Sequence, residues 1–220
     1  MYFAELMNKP YKIAVIDYQM SNMFSIKNAL TALGFDVEVT SDYSTIISCD
    51  GAILPGVGSF PEAMKHIKEL NLEASITDFI ASGKPFLGIC LGFHLLFDKS
   101  NEIEDTFGLG VIPGEVKRLS MLNKEIRIPH VGWNKIQKKQ IPNIKNHFDP
   151  LKKLNEQEYF YFIHSFYVEP EDNNDIYSTT EYGGINFCSS ILKENIFACQ
   201  FHPEKSGRKG ANILSEIFNR

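Results

Sequence analysis

Three short apolar runs limit what this chain can fold into: Lys12-Ile-Ala-Val-Ile-Asp17, Ala52-Ile-Leu-Pro55 and Pro85-Phe-Leu-Gly-Ile89, separated by segments with helical spacing. Runs this brief, without polar alternation, suit strands buried on both faces, as in a parallel sheet covered by helices. Between them, Ser25 to Leu33 carries Ile26, Ala29, Leu30 and Leu33 on one helical face, with Gly34 as a stop. Phe35 to Val39 alternates as a further strand, and helical patterning returns over Pro61 to Leu70 and Leu72 to Ala81 before Gly83. Such alternation predicts a parallel sheet with helices on both sides and right-handed crossovers. From Gly108 onward the texture changes. Gly108 to Arg118, Ile126 to Ile136, Tyr159 to Val168, Tyr177 to Thr180, Ile185 to Leu192 and Ile196 to Phe201 read as strands, closed by a helix from Gly210 to Phe218. The polar stretch Gln137 to Glu158 reads as surface loops with a short helix. The expectation is an α/β fold with an added antiparallel β region, one domain over residues 11–220, and a flexible extension over residues 1–10.

A chain of 220 residues with 44% hydrophobic content can bury such a core without disulfides or metal. Its net charge of −5 argues against a surface that neutralises phosphates, so no nucleic-acid partner is expected. Cys49, Cys90, Cys188 and Cys199 form no C-x-x-C pair, which suggests neither a zinc site nor a disulfide framework. No metal and no cofactor are expected. The most apolar stretch, Phe86 to Phe97, is far shorter than the ~20 residues of a membrane span. The first ten residues lack the apolar run of a targeting signal, and a reducing, cytoplasmic setting is expected.

Gly88-Ile-Cys-Leu-Gly92 joins an apolar strand to an apolar helix in the G-x-C-x-G form of a nucleophile elbow. The turn is so tight that residues two before and two after the nucleophile must lack side chains. A helix N-terminus beside the sulfur would stabilise its thiolate. The pentapeptide alone leaves open a buried structural cysteine between packing glycines. A thiol nucleophile needs a base oriented by a carboxylate, and Gln200-Phe-His-Pro-Glu-Lys-Ser206 supplies His202 and Glu204 two residues apart. In extended geometry both would point the same way, with Pro203 stiffening the segment. His66 and His147 read as surface residues, Cys188 and Cys199 as core, and Cys49 as undecided.

Taken in order, Pro55-Gly-Val-Gly-Ser-Phe60, Gly88-Ile-Cys-Leu-Gly92, Gly108-Leu-Gly110, Pro129-His-Val-Gly-Trp-Asn134, Tyr161-Phe-Ile-His-Ser-Phe166 and Gln200 to Ser206 resemble the class I (triad) glutamine amidotransferases. Within that family they are most similar to the glutaminase subunits of imidazole glycerol phosphate synthase. The resemblance implies a flavodoxin-like parallel or mixed sheet flanked by helices, and a Cys90, His202 and Glu204 triad that releases ammonia from L-glutamine. It further implies oxyanion donors at Leu91 and in the Pro55 to Gly58 loop, at Val57 after a peptide flip, with Gly58 alongside. Glutamine's backbone end would be held around Gly56, Gly58, His94, Glu102, Ser165 and Phe166. Asn22, Pro129, Val131, Trp133 and Lys205 would face a (β/α)8 barrel cyclase of the HisF type, although a core position is the other reading of Trp133.

Two departures from the family pattern stand out. Phe93-His94 replaces Met-Gln after the elbow, putting an imidazole where an amide contacts glutamine and opening the way to altered affinity or pH dependence. Asp17-Tyr-Gln-Met-Ser-Asn22 replaces Asp-Tyr-Gly-x-Gly-Asn, losing glycines at Gln19 and Ser21. A paralogue that feeds ammonia to a HisF-like partner for sugar amidination in surface polysaccharide synthesis remains an alternative, as does a catalytically silent regulatory subunit.

Overall fold

The computed structural model describes residues 11–20, 22–119, 126–139 and 148–218. The expected extension at 1–10, Ser21, His147 and residues 140–147 of the polar stretch lie outside these described residues.

The chain runs β1 (Lys12–Ile16), α1 (Met23–Ala32), β2 (Asp36–Thr40), α2 (Tyr43–Ser48), β3 (Gly51–Leu54), α3 (Phe60–Glu69), α4 (Leu72–Ala81) and β4 (Phe86–Ile89). The nucleophile turn leads into α5 (Leu91–His94), then β5 (Phe97–Ser100), β6 (Thr106–Phe107), β7 (Ile112–Arg118), β8 (His130–Lys138), β9 (Gln157–His164) and β10 (Phe166–Pro170). β11 (Ile176–Tyr182), β12 (Ile185–Lys193), β13 (Ile196–Cys199), a 3-10 turn (Pro203–Lys205) and α6 (Gly207–Phe218) complete it.

Strands β2, β1, β3, β4 and β13 lie side by side, all parallel, and β12, β10, β7, β5 and β6 extend the same sheet beyond β13 with mainly antiparallel pairing. A branch of β11, β8 and β9 leaves from β12. The expected mixed α/β sheet with an antiparallel addition is what the chain forms. Alternate residues of β1 serve opposite faces: Ala14 and Ile16 join one buried cluster, Ile13 and Val15 the other. Both faces are therefore dry, which is why the strands read as unbroken apolar runs.

The parallel register of β4 and β13 positions the site. Cys199 stands beside Ile89, so both strands deliver their next residues at the same carboxyl edge, where open α/β sheets place their ligand crevices. Cys90 follows β4 directly, and His202 lies three residues beyond β13.

Several elements differ from the sequence expectation. Tyr159 to Val168 is not one strand: the chain breaks at Ser165, and β9 pairs with β8 while β10 pairs with β7 and β12. The helix after the elbow lasts one turn before the apolar run re-enters the sheet as β5. The strands expected from Gly108 and Ile126 begin at Ile112 and His130. Helix α2 was not expected; Asp42 caps it by accepting from the Thr45 amide at 2.7 Å. His66 is not a plain surface residue either, because its Nδ1 meets the Tyr18 carbonyl oxygen at 3.0 Å and ties α3 to the end of β1. No helix among the described residues is long and apolar enough to cross a membrane.

Candidate active site

Cys90 occupies φ 53°, ψ −107°, a strained conformation for a residue with a side chain and one that clusters at functional sites. Contact excludes a side chain at Gly92 and crowds one at Gly88. A Cβ on Gly92 would overlap the Leu54 carbonyl oxygen and lie 2.7 Å from its carbon, and one on Gly88 would come within 3.2 Å of Ala198 Cβ. Because α5 is only four residues long, the thiolate gains little from an extended helix dipole, contrary to the sequence expectation. What remains is the first-turn amides, Leu91 among them, which have no partner within a helix.

His202 is pinned to β9 from two sides. Its amide donates to Tyr161 O at 2.9 Å, and its carbonyl accepts from Ser206 Oγ at 2.6 Å, while the same Oγ receives the Tyr161 amide at 3.0 Å. Nδ1 meets Glu204 Oε1 at 2.8 Å, with both side chains buried. The pair forms within a 3-10 turn begun by Pro203 rather than in the extended geometry expected. Burial alone would lower the proton affinity of His202. Charge on the nearby Cys90 sulfur, and then the Glu204 carboxylate, more than reverse this, holding the ring up at about 10. Nε2 itself has no hydrogen-bond partner among the described residues. We predict that Cys90→Ala lowers the His202 titration midpoint, read from histidine nitrogen shifts. An unmoved midpoint would remove sulfur as its cause.

Val57, Gly58, Cys90, Leu91, His94, Glu102, Ser165 and Phe166 line one cleft of about 290 Å³, which Pro129, Ile163 and His164 complete. Gly56 lies behind it, where a Cβ would overlap the Tyr18 hydroxyl and stand 2.8 Å from Leu91 Cβ. Tyr18 Oη in turn donates to Pro55 O at 2.7 Å, anchoring the start of this loop. Val57, the expected oxyanion donor, gives its N–H to Met20 O at 3.2 Å. In this state that hydrogen is spent on the segment whose glycines have been replaced, and Gln19 keeps the left-handed φ of 68° there despite its side chain. Glu102 Oε2 accepts the Phe60 amide at the start of α3, 2.8 Å away; burial raises its pKa, with this bond and Arg118 opposing.

His94 lines the cleft, but its Nε2 is engaged with Gln200 Oε1 at 2.7 Å. Burial, opposed by Gln200, lowers its pKa to about 4, so it stays neutral near pH 7 and adds no titration there, contrary to the pH dependence considered from sequence. Gln200, first residue of the Gln200 to Ser206 segment, is a site residue that no sequence pattern singles out, and the same holds for a buried histidine pair, His130 and His164. His164 Nδ1 meets Phe166 O at 2.7 Å, and its Nε2 meets His130 Nδ1 at 2.9 Å. His130 is stacked against Tyr182 at 4.0 Å. Burial lowers both pKa values, that of His130 to about 4, so the neutral rings form an ordered chain of donors ending on the Phe166 carbonyl.

Beside the cleft, Val131 and Trp133 are 53% and 57% exposed, which removes the core reading of Trp133. Trp133 sits opposite Tyr161 across β8 and β9, and Lys205 Nζ lies 5.9 Å over the Tyr161 ring. Asn22, also exposed, caps α1 through the Ser25 amide at 3.4 Å.

A strained cysteine turn, a carboxylate-held histidine and a glycine loop on one sheet edge are the features shared by enzymes that cleave amides through a thioester. The chain belongs to the class I glutamine amidotransferases, whose family model matches residues 14–220. Among curated relatives it is similar to the imidazole glycerol phosphate synthase subunit HisH of Aquifex aeolicus, 46% identical over 210 residues that cover 95% of this chain and 96% of that protein. The HisH subunit of Caldanaerobacter subterraneus subsp. tengcongensis is 45% identical over 93% of this chain and 96% of its own length. In fold, the chain resembles a crystal structure of a glutamine amidotransferase at TM-score 0.70 and 16% identity, covering 94% of this chain and 97% of that one. It also resembles a glutamine amidotransferase from Thermotoga maritima at TM-score 0.64 and 14% identity, covering 96% of this chain and 84% of that one.

Proposed function

We infer that this chain is the glutaminase subunit of imidazole glycerol phosphate synthase, acting in the cytoplasm with a HisF-type (β/α)8 cyclase. The observation that carries the chemistry is the buried Glu204–His202 pair, 2.8 Å apart and set against Cys90. The Cys90 thiolate attacks the side-chain carbonyl carbon of glutamine, and the oxyanion draws on Leu91 and, once its peptide has turned, Val57. His202 gives its proton to the departing nitrogen, the C–N bond breaks, and ammonia leaves behind a thioester. Water then gives a proton to His202 as it attacks; the C–S bond breaks and glutamate is released. Glu204 keeps Nδ1 protonated throughout. Gly58, His94, Glu102, Ser165 and Phe166 hold the substrate's backbone end, with Gly56 backing the loop behind them.

Asn22, Pro129, Val131, Trp133 and Lys205 form the partner face, supported by the exposure of Val131 and Trp133 next to the cleft. Ammonia crosses that face to a phosphorylated ribulosyl-formimino intermediate in the barrel, yielding imidazole glycerol phosphate and an aminoimidazole ribonucleotide. Relatives named HisH, at 46% and 45% identity, favour this acceptor over a sugar, a reading that rests on the two departures at Phe93-His94 and Gln19 to Ser21 and on the Asn22-Met-Phe-Ser25 stretch. The intact triad opposes a silent regulatory role. Glutamate release should rise about a hundredfold when a HisF-type barrel and its substrate are added, within the usual range of coupling between sites. A flat response would set aside the histidine-pathway assignment.

A further inference from the structure

An amide oxygen accepts hydrogen bonds and never donates, whereas a neutral imidazole offers one donor and one acceptor. Gln200 Oε1 stands 2.7 Å from His94 Nε2, and both side chains are buried. His94 Nε2 therefore carries the ring's proton. With its oxygen so occupied, the Gln200 amide turns its nitrogen the other way, where Nε2 lies 3.7 Å from Cys90 Sγ. Gln200 is 0% exposed, so bulk water does not compete for that donor. The opposite amide orientation would aim oxygen lone pairs at a sulfur that must become anionic to react. As a thiol, Cys90 has a different outlet, the Ile163 carbonyl oxygen at 3.8 Å. The two contacts thus serve the two protonation states.

Building on the glutaminase reading, we propose that Gln200 is a catalytic residue whose amide donates a hydrogen bond to the Cys90 sulfur, and that His94 is the positioning residue that orients this amide. The donor acts whenever charge resides on sulfur. It stabilises the thiolate before attack, and it steadies the electron pair that returns to sulfur when water has added and the C–S bond breaks. Water's proton goes to His202 in that step. The arrangement also explains what an imidazole can do at position 94. One N–H suffices to hold an amide, so the loss of the family's glutamine there need not disable the site.

The test uses the full chain in complex with a HisF-type barrel, comparing wild type with Gln200→Met, which keeps length and removes the donor. Alkylation of Cys90 by iodoacetamide at neutral pH and kcat for glutamate release should each fall about tenfold, ~1.4 kcal/mol of barrier. KM should change by less than about twofold, as befits an interaction with the reacting atom rather than with bound substrate. Wild-type rates in both assays would overturn the proposal. A second measurement needs no substitution: nitrogen–proton correlation spectra of histidine-labelled wild type report the tautomer of His94. A proton on Nε2 supports the proposal. A proton on Nδ1 overturns it, because the amide must then present oxygen to sulfur. Failure of wild type to release glutamate would instead reject the glutaminase reading, with the tautomer still deciding how the amide is turned.

Discussion

Replacing Cys90 by alanine is expected to cut glutamate release from glutamine by about three orders of magnitude or more, the usual scale for loss of a nucleophile. The same variant should keep the complex's activity with added ammonia, since free ammonia needs no thioester. Alanine at this position inherits the left-handed φ of 53° that cysteine already tolerates, so the substitution removes sulfur without adding backbone strain. The Cys90 amide bond to Cys199 O at 2.8 Å, which stitches the turn to β13, is also retained. Parallel assays with glutamine and with ammonium salt read the two activities. Glutamine turnover by Cys90→Ala at the wild-type rate would eliminate this sulfur as the nucleophile, and loss of both activities would point to a collapsed fold.

Gly92→Ala is expected to be among the most damaging single changes, costing about 4 kcal/mol or more of stability or preventing soluble folding. The obstacle is backbone: the new methyl would strike the Leu54 carbonyl group in β3, which cannot rotate aside as a side chain can. Either α5 lifts from the sheet, moving Cys90, or the β3–β4 pairing opens. Gly88→Ala, with nearest contacts of 3.2 Å, should cost much less. Denaturant unfolding of the two variants measures the difference, and equal stability of Gly92→Ala and wild type would refute the close approach of α5 to β3.

The first half of the fold was legible because parallel strands buried on both faces leave an unmistakable apolar signature, as Ile13 to Ile16 and Gly51 to Leu54 do. Cys90 was legible from the tight turn that its flanking glycines allow, and the His202–Glu204 pair from the oriented base that a thiol nucleophile needs. Other features have no local signal. The break at Ser165 reflects which neighbours β9 and β10 find, and residues 159–168 keep strand character on both sides of it. The helix after Cys90 ends early because Phe97 pairs with Ile112, a partner fifteen residues on that periodicity cannot see. Gln200 carries no signal of its own in the sequence, and only the tertiary meeting of β13 with α5 puts it between His94 and sulfur. The exposure of Trp133 was equally hidden, since an indole suits a core or a docking face.

A single backbone hydrogen cannot serve two masters. While the Val57 N–H is latched to the Met20 carbonyl, the proposed oxyanion cradle would lack one of its two donors, and bound glutamine would wait beside Cys90. On the proposed reading, glutamine is spared until that latch opens, and the left-handed turn at Gln19, one residue before Met20, is where a visiting subunit would find its lever.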